Sequence, residues 1–153
     1  MTIILDIQSA SSSENTPDEK NIRRWVNAAM NSKMGDTELS VRIVDEDEAV
    51  HLNETYRGAK GPTNVLSFPF ENETPESLPL IGDIVVCAPV VAREAQQQNK
   101  DLSTHWAHMI IHGVLHLLGY DHQNDAEAAI MEALETEIMQ KLGFPPPYAC
   151  QQE

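Results

Sequence analysis

At 153 residues the chain is sized for one domain with one core. With 41% hydrophobic residues and no long apolar run, it has the make-up of a soluble globular protein, not of a membrane span. Its formal net charge of −14 excludes a surface that meets nucleic acid everywhere, because Lys and Arg make the phosphate contacts. Any nucleic-acid role therefore needs a local basic patch, for which Arg23, Arg24, Arg42, Arg57, Lys60 and Arg93 are the candidates.

Cys87 and Cys150 lie far apart and read as reduced thiols, not as a disulfide framework. Met1-Thr2-Ile3-Ile4 runs straight into a strand-like segment with no basic leader, so the expected location is cytoplasmic, away from membranes.

Thr2 to Ile7 alternates apolar and polar residues and reads as a strand. After a polar linker, Ser9 to Asn15, Thr16-Pro17-Asp18-Glu19 combines an N-cap threonine, a proline at the first helical position and a capping-box glutamate. Ile22, Trp25, Val26 and Ala29 form the buried stripe of that helix, with Gly35 beyond its end. Leu39, Val41 and Ile43 mark a second strand, and Asp45 is expected to cap a helix that stops at Gly58. Thr63 to Phe68 reads as a short strand and Pro69 to Pro79 as an acidic surface loop. The apolar run Ile81 to Cys87 has the signature of a central strand covered on both faces.

Pro89 opens the next helix, running to about Asn99, and Asp101 or Ser103 caps the one after it. Asn124 and Glu127 form a second capping box, opening a helix with Ile130, Leu134, Ile138 and Leu142 on its core face and ending at Gly143. The order β-α-β-α-β-β-α-α-α predicts one α+β domain over 1–153: a mixed four-stranded sheet covered by about five helices.

Within the helix that follows Asp101 lies His112-Gly113-Val114-Leu115-His116-Leu117-Leu118-Gly119-Tyr120-Asp121-His122. Histidines at i and i+4 lie about 6 Å apart on one helix face. Gly119 can take the left-handed conformation that ends a helix and turn the chain back, bringing His122 to the same point. Three neutral imidazoles converging from one side leave a fourth position open, the plan of a catalytic zinc site built zincin-fashion on a helix and its following turn. Surface or core histidines are the ordinary alternative, and three in eleven residues at ligand spacing fit it poorly. The expected cofactor is one divalent ion, Zn2+ first, with Ni2+ also suited to nitrogen ligands.

The spacing equals the metzincin protease pattern, H-E-x-x-H-x-x-G-x-x-H, but Gly113 stands where those enzymes carry their glutamate base. A peptidase lacking that base would be a poor one, so the metal site survives while the protease reading recedes. His108 reads as a structural histidine or as one that supports a ligand, while His105 and His51 read as surface or packing histidines. Asp121 either orients a ligand imidazole, accepts a proton from water, or simply forms a turn. Asp83, inside the apolar run, needs a hydrogen-bond partner, and a structural role suits it best. Arg57 sits in a glycine-rich turn, Tyr56-Arg57-Gly58-Ala59-Lys60-Gly61-Pro62-Thr63-Asn64. A guanidinium suits phosphate, though local sequence alone reads as a solvated surface arginine.

Assembled, the segments TYRGAKGPTNVLSFPF at 55–70, IGDIVVCAPVV at 81–91 and HWAHMIIHGVLHLLGYDH at 105–122 resemble the YbeY family of bacterial ribosomal-RNA maturation factors. MEALETEIMQKLGF at 131–144 is similar to that family's last helix, and the HGxLHLxGxDH signature is matched throughout. The resemblance implies a metal-dependent endoribonuclease with His112, His116 and His122 on the metal and Arg57 as a functional residue, reversing the surface reading. It further implies cleavage of single-stranded RNA, work at the 3′ end of small-subunit ribosomal RNA, and ribosome quality control. Small-subunit ribosomal proteins and a ribosome-assembly GTPase are the implied protein partners. A peptidase or amidase using the same metal, with Asp121 in place of the missing glutamate, and a non-catalytic assembly factor are the competing readings.

Overall fold

The computed structural model describes residues 3–30, 37–58, 61, 63–69, 80–120 and 124–147. Strands β1 (Ile3–Ser9), β2 (Thr37–Val44), β3 (Val65–Pro69) and β4 (Leu80–Cys87) form one mixed sheet in the order β1-β2-β4-β3. β1 pairs parallel with β2 and β2 parallel with β4, whereas β3 closes the edge antiparallel to β4. The apolar run thus becomes a strand with neighbours on both sides, as its composition predicts.

Alternation along the strands builds two cores. Leu39, Val41, Ile43, Ile84 and Val86 face the larger one, which they share with α1 (Glu19–Met30), α4 (Leu102–Leu117) and α5 (Asp125–Lys141). Val44, Leu66, Val85 and Cys87 face the opposite side, under Ala49 and Leu52 of α2 (Glu46–Leu52). Helix α3 (Ala88–Gln97) bridges the layers, with Val91 in the first core and Val90 in the second. Cys87 is buried, which pushes its thiol pKa up and keeps it protonated; Cys150 lies outside the described residues.

Several expected caps are corrected. Helix α1 starts at Glu19, and Asp18, not Thr16, accepts from the Asn21 amide at 2.9 Å, which leaves Pro17 ahead of the helix. Asp45 stands at the N-cap of α2 without capping it. Its carboxylate instead accepts from Ser11 Oγ at 2.5 Å and from the Ser12 amide at 3.0 Å, and these bonds hold its pKa below the ordinary range. The polar linker is therefore pinned to the start of α2. Asp101, not Ser103, is the N-cap of α4, without a side-chain bond. Beyond α2 the chain widens into a π-helical turn, Asn53–Arg57, that ends at Gly58 with φ of 66°. β3 begins at Val65 instead of Thr63 and takes in Pro69; residues 70–79 of the expected loop lie outside the described residues.

The last helix keeps most of the expected stripe: Ile138 is buried, and Leu134 and Leu142 pack, partly buried, against the main core. Asn124 Oδ1 does accept from the Glu127 amide at 2.9 Å, as the capping box requires. Yet Ile130 is 57% exposed, and the buried positions are Met131, Glu135, Ile138 and Met139. A glutamate, Glu135, joins the core face beside Leu134.

Candidate metal-binding site

Helix α4 is buried on nearly all sides. From Thr104 to Leu117 every residue is buried except His112 and His116, which reach solvent together on one face. An adjacent face of the helix is pressed on the sheet at Gly113. A Cβ there would lie 2.9 Å from Ile84 Cγ2, and the Gly113 carbonyl accepts a hydrogen bond from Ser67 Oγ of β3 at 3.0 Å. Only a residue without a side chain lets the helix sit this close to β4. The position that carries a glutamate in metzincins is here turned towards the sheet.

The two partly exposed imidazoles converge. His112 Nε2 and His116 Nε2 are 3.1 Å apart, with ring centroids at 4.6 Å. Two nitrogens bound at ordinary zinc distances in a tetrahedron stand about 3.3 Å apart. The length also suits a ring-to-ring hydrogen bond; in either case both Nε2 atoms address one spot. The pair therefore fits a divalent ion as two of its nitrogen ligands.

After Leu117 the helix closes as expected. The Gly119 amide donates to the His116 carbonyl at 3.1 Å, the Tyr120 amide to the Leu115 carbonyl at 3.0 Å, and Gly119 has φ of 101°. This pattern reverses the chain and leaves His116 on the last turn. Asp121 and His122, the expected third ligand, lie outside the described residues. Among the described residues no set of three His, Cys, Asp or Glu side chains is arranged to hold one ion.

Behind the pair stands Glu135 of α5, only 1% exposed. Its Oε1 lies 3.0 Å from His112 Nδ1, and its other oxygen meets His108 Nε2. Burial alone would push this carboxyl up. The hydrogen bonds from His108 and His112 outweigh it and hold the pKa at about 2. His108 is thus joined to His112 through a shared carboxylate. His105, one turn earlier, is a buried packing histidine whose Nε2 meets Glu94 Oε1 at 2.9 Å. Sequence reasoning missed Glu135; the signal was a carboxylate falling on the buried stripe of an amphipathic helix.

Arg57 and Asp83 lie elsewhere. Arg57 ends the π-helical turn and is exposed; its neighbour Tyr56 packs edge-on against Phe68 at 5.6 Å. Phe68 and Leu66 face the α2 side of the sheet, whereas Ser67 between them faces α4. Arg57 thus leads off from the layer opposite the histidines, and among the described residues no hydrogen bond or ion pair joins it to them. Asp83 accepts from Ser40 Oγ at 2.5 Å. It lines an open cavity of about 500 Å³ on the α2 side, together with Arg42, Glu48, Tyr56 and Phe68.

Comparison with known proteins gives this geometry a context. The profile of the family described as Endoribonuclease YbeY matches residues 6–143. The chain belongs to the YbeY endoribonuclease family. That family is one of metal-dependent, rRNA-processing endoribonucleases, so at family level the chain is a hydrolase with RNA as its partner. Among solved structures, the solution structure of TM1509 from Thermotoga maritima matches with a TM-score of 0.58 at 24% identity, covering 96% of each chain. At that identity the likeness speaks for the fold alone. No helix among the described residues is long and apolar enough to cross a membrane.

Proposed function

We propose that this YbeY-family chain is a single-strand-specific endoribonuclease that uses one divalent ion, zinc before nickel, held by His112, His116 and His122. The observation that carries the reading is the pair of Nε2 atoms 3.1 Å apart on the only solvent-facing positions in the body of α4. When bound, such an ion supplies Lewis-acid polarisation of a phosphodiester and acidifies water.

The chain's own residues do the rest. His112 and His116 present lone pairs from consecutive turns of a helix locked against the sheet. Arg57, with a fixed positive charge and a planar fork of donors, holds the scissile phosphate and stabilises its developing charge. Given the layer it occupies, Arg57 meets a substrate strand that passes round the β3 edge. Asp121 or the substrate's own 2′-hydroxyl takes part in the proton transfer. Gly113 supplies no carboxylate and faces Ile84, which supports RNA over peptide hydrolysis.

In this reading the substrate is the 3′ end of small-subunit ribosomal RNA, and the activity serves ribosome quality control in the cytoplasm. Small-subunit ribosomal proteins and a ribosome-assembly GTPase are its protein partners. The test offers purified protein, with and without chelator, a structured ribosomal RNA, a generic single strand and casein. Cleavage of RNA alone, lost with chelator and in His116→Ala, is the expected result. Casein cleavage, or RNA cleavage indifferent to both chelator and His116→Ala, overturns the reading.

A further inference from the structure

We infer that Glu135 is a positioning residue that fixes the His112 ring and its tautomer, so that Nε2 carries the lone pair facing His116; this rests on the metal-site reading above. An ionised carboxylate can only accept hydrogen bonds. With Oε1 at 3.0 Å from His112 Nδ1, the contact is a hydrogen bond when Nδ1 carries the proton; in the neutral ring Nε2 then holds the lone pair, 3.1 Å from His116 Nε2. An imidazole offered to a divalent ion needs that arrangement, because only an unprotonated nitrogen can bind.

Burial makes the carboxylate an anchor. Glu135 is 1% exposed, so water does not compete for its oxygens, and α5 on either side of it is packed into the main core through Met131, Ile138 and Met139. His108, on the helical turn before His112, engages the other carboxylate oxygen and stops the side chain from turning away. Two histidines of α4 thus hold one carboxylate of α5, and the ring nearer solvent is held in one orientation before any ion arrives. A carboxylate kept in the core only for stability would leave the tautomer and the metal affinity indifferent to its charge.

The test uses the full chain labelled with 15N. Long-range 1H–15N correlation spectra of the metal-free protein are expected to show His112 as the Nδ1–H tautomer. Chelator competition is expected to show Glu135→Gln binding zinc about 10–100-fold more weakly than wild type, with an unchanged circular dichroism spectrum. An Nε2–H tautomer in the wild type overturns the assignment whether or not the variant folds. Wild-type zinc binding with equal affinity in Glu135→Gln overturns it alone. A wild type that takes up no zinc overturns the metal reading as well, so the two failures are distinguishable.

Discussion

Gly113 rests on Ile84 so closely that a Cβ added to it would stand 2.9 Å from the Ile84 Cγ2 methyl. Ile84 is fully buried and β-branched, so it cannot swing aside cheaply. Alanine at 113 gains about 1 kcal/mol of helix propensity but overpacks the interface at a cost of about 1–3 kcal/mol, for a modest net loss. Gly82 is the harsher site, with φ of 147° and a Cβ position 2.4 Å from the Phe68 carbonyl oxygen. Urea unfolding is expected to rank Gly82→Ala as the less stable variant, by about 2 kcal/mol or more. A Gly113→Glu change is expected to lower stability without conferring casein cleavage, because its side chain starts on the sheet side of α4.

His116→Ala is expected to abolish metal uptake with little change in fold, since His116 is partly exposed and ends the helix. Elemental analysis and circular dichroism on the same sample decide this. Full metal occupancy in the variant removes His116 from the ligand set.

Arg57→Ala is expected to keep wild-type metal content and stability while losing RNA cleavage by about 100-fold or more, in line with removal of one charge-stabilising group. Single-turnover cleavage at the wild-type rate excludes Arg57 from the reaction.

The acid limb of stability has identifiable contributors. Burial pushes the Glu94 carboxyl up, but hydrogen bonds from His105 and Asn64 outweigh it and hold it below the ordinary glutamate range. A depressed carboxyl stabilises the fold above its unfolded pKa, and the contribution disappears as pH falls through the folded value. Urea midpoints measured between about pH 6 and about pH 3 should therefore fall less in Glu94→Gln than in the wild type. The Glu135 contribution starts to fall at the ordinary glutamate pKa and is exhausted only near its folded value of about 2, below that range.

Asn124→Ala removes the bond to the Glu127 amide and should cost about 1 kcal/mol. A lowered melting temperature checks this directly.

Periodicity was enough to read the element order, the four strands, the central place of β4 and the glycine closure of α4, because each depends on local pattern and a few special residues. The caps were legible only in part. Thr16 and Asp18 are both competent N-caps by type, and their choice depends on where the chain enters the helix. Asp45 was drawn away by Ser11 and Ser12, more than thirty residues upstream. The histidine pair was legible because i, i+4 spacing is itself geometry. Glu135 was not, since its role needs α5 to dock beside α4, and a buried carboxylate among apolar residues reads as an exposed one until its partners are in place. Nor does the sequence reveal that Arg57 and the histidines belong to layers on different sides of the sheet.

The clamp on His112 comes from the last helix of the fold. During synthesis the sheet, α4 and all three candidate ligands leave the ribosome before Glu135 does. A nascent chain that ends ahead of α5 thus carries the histidines but nothing to orient them. Orientation of His112 therefore waits on the docking of α5 against α4, however early the histidines themselves are made.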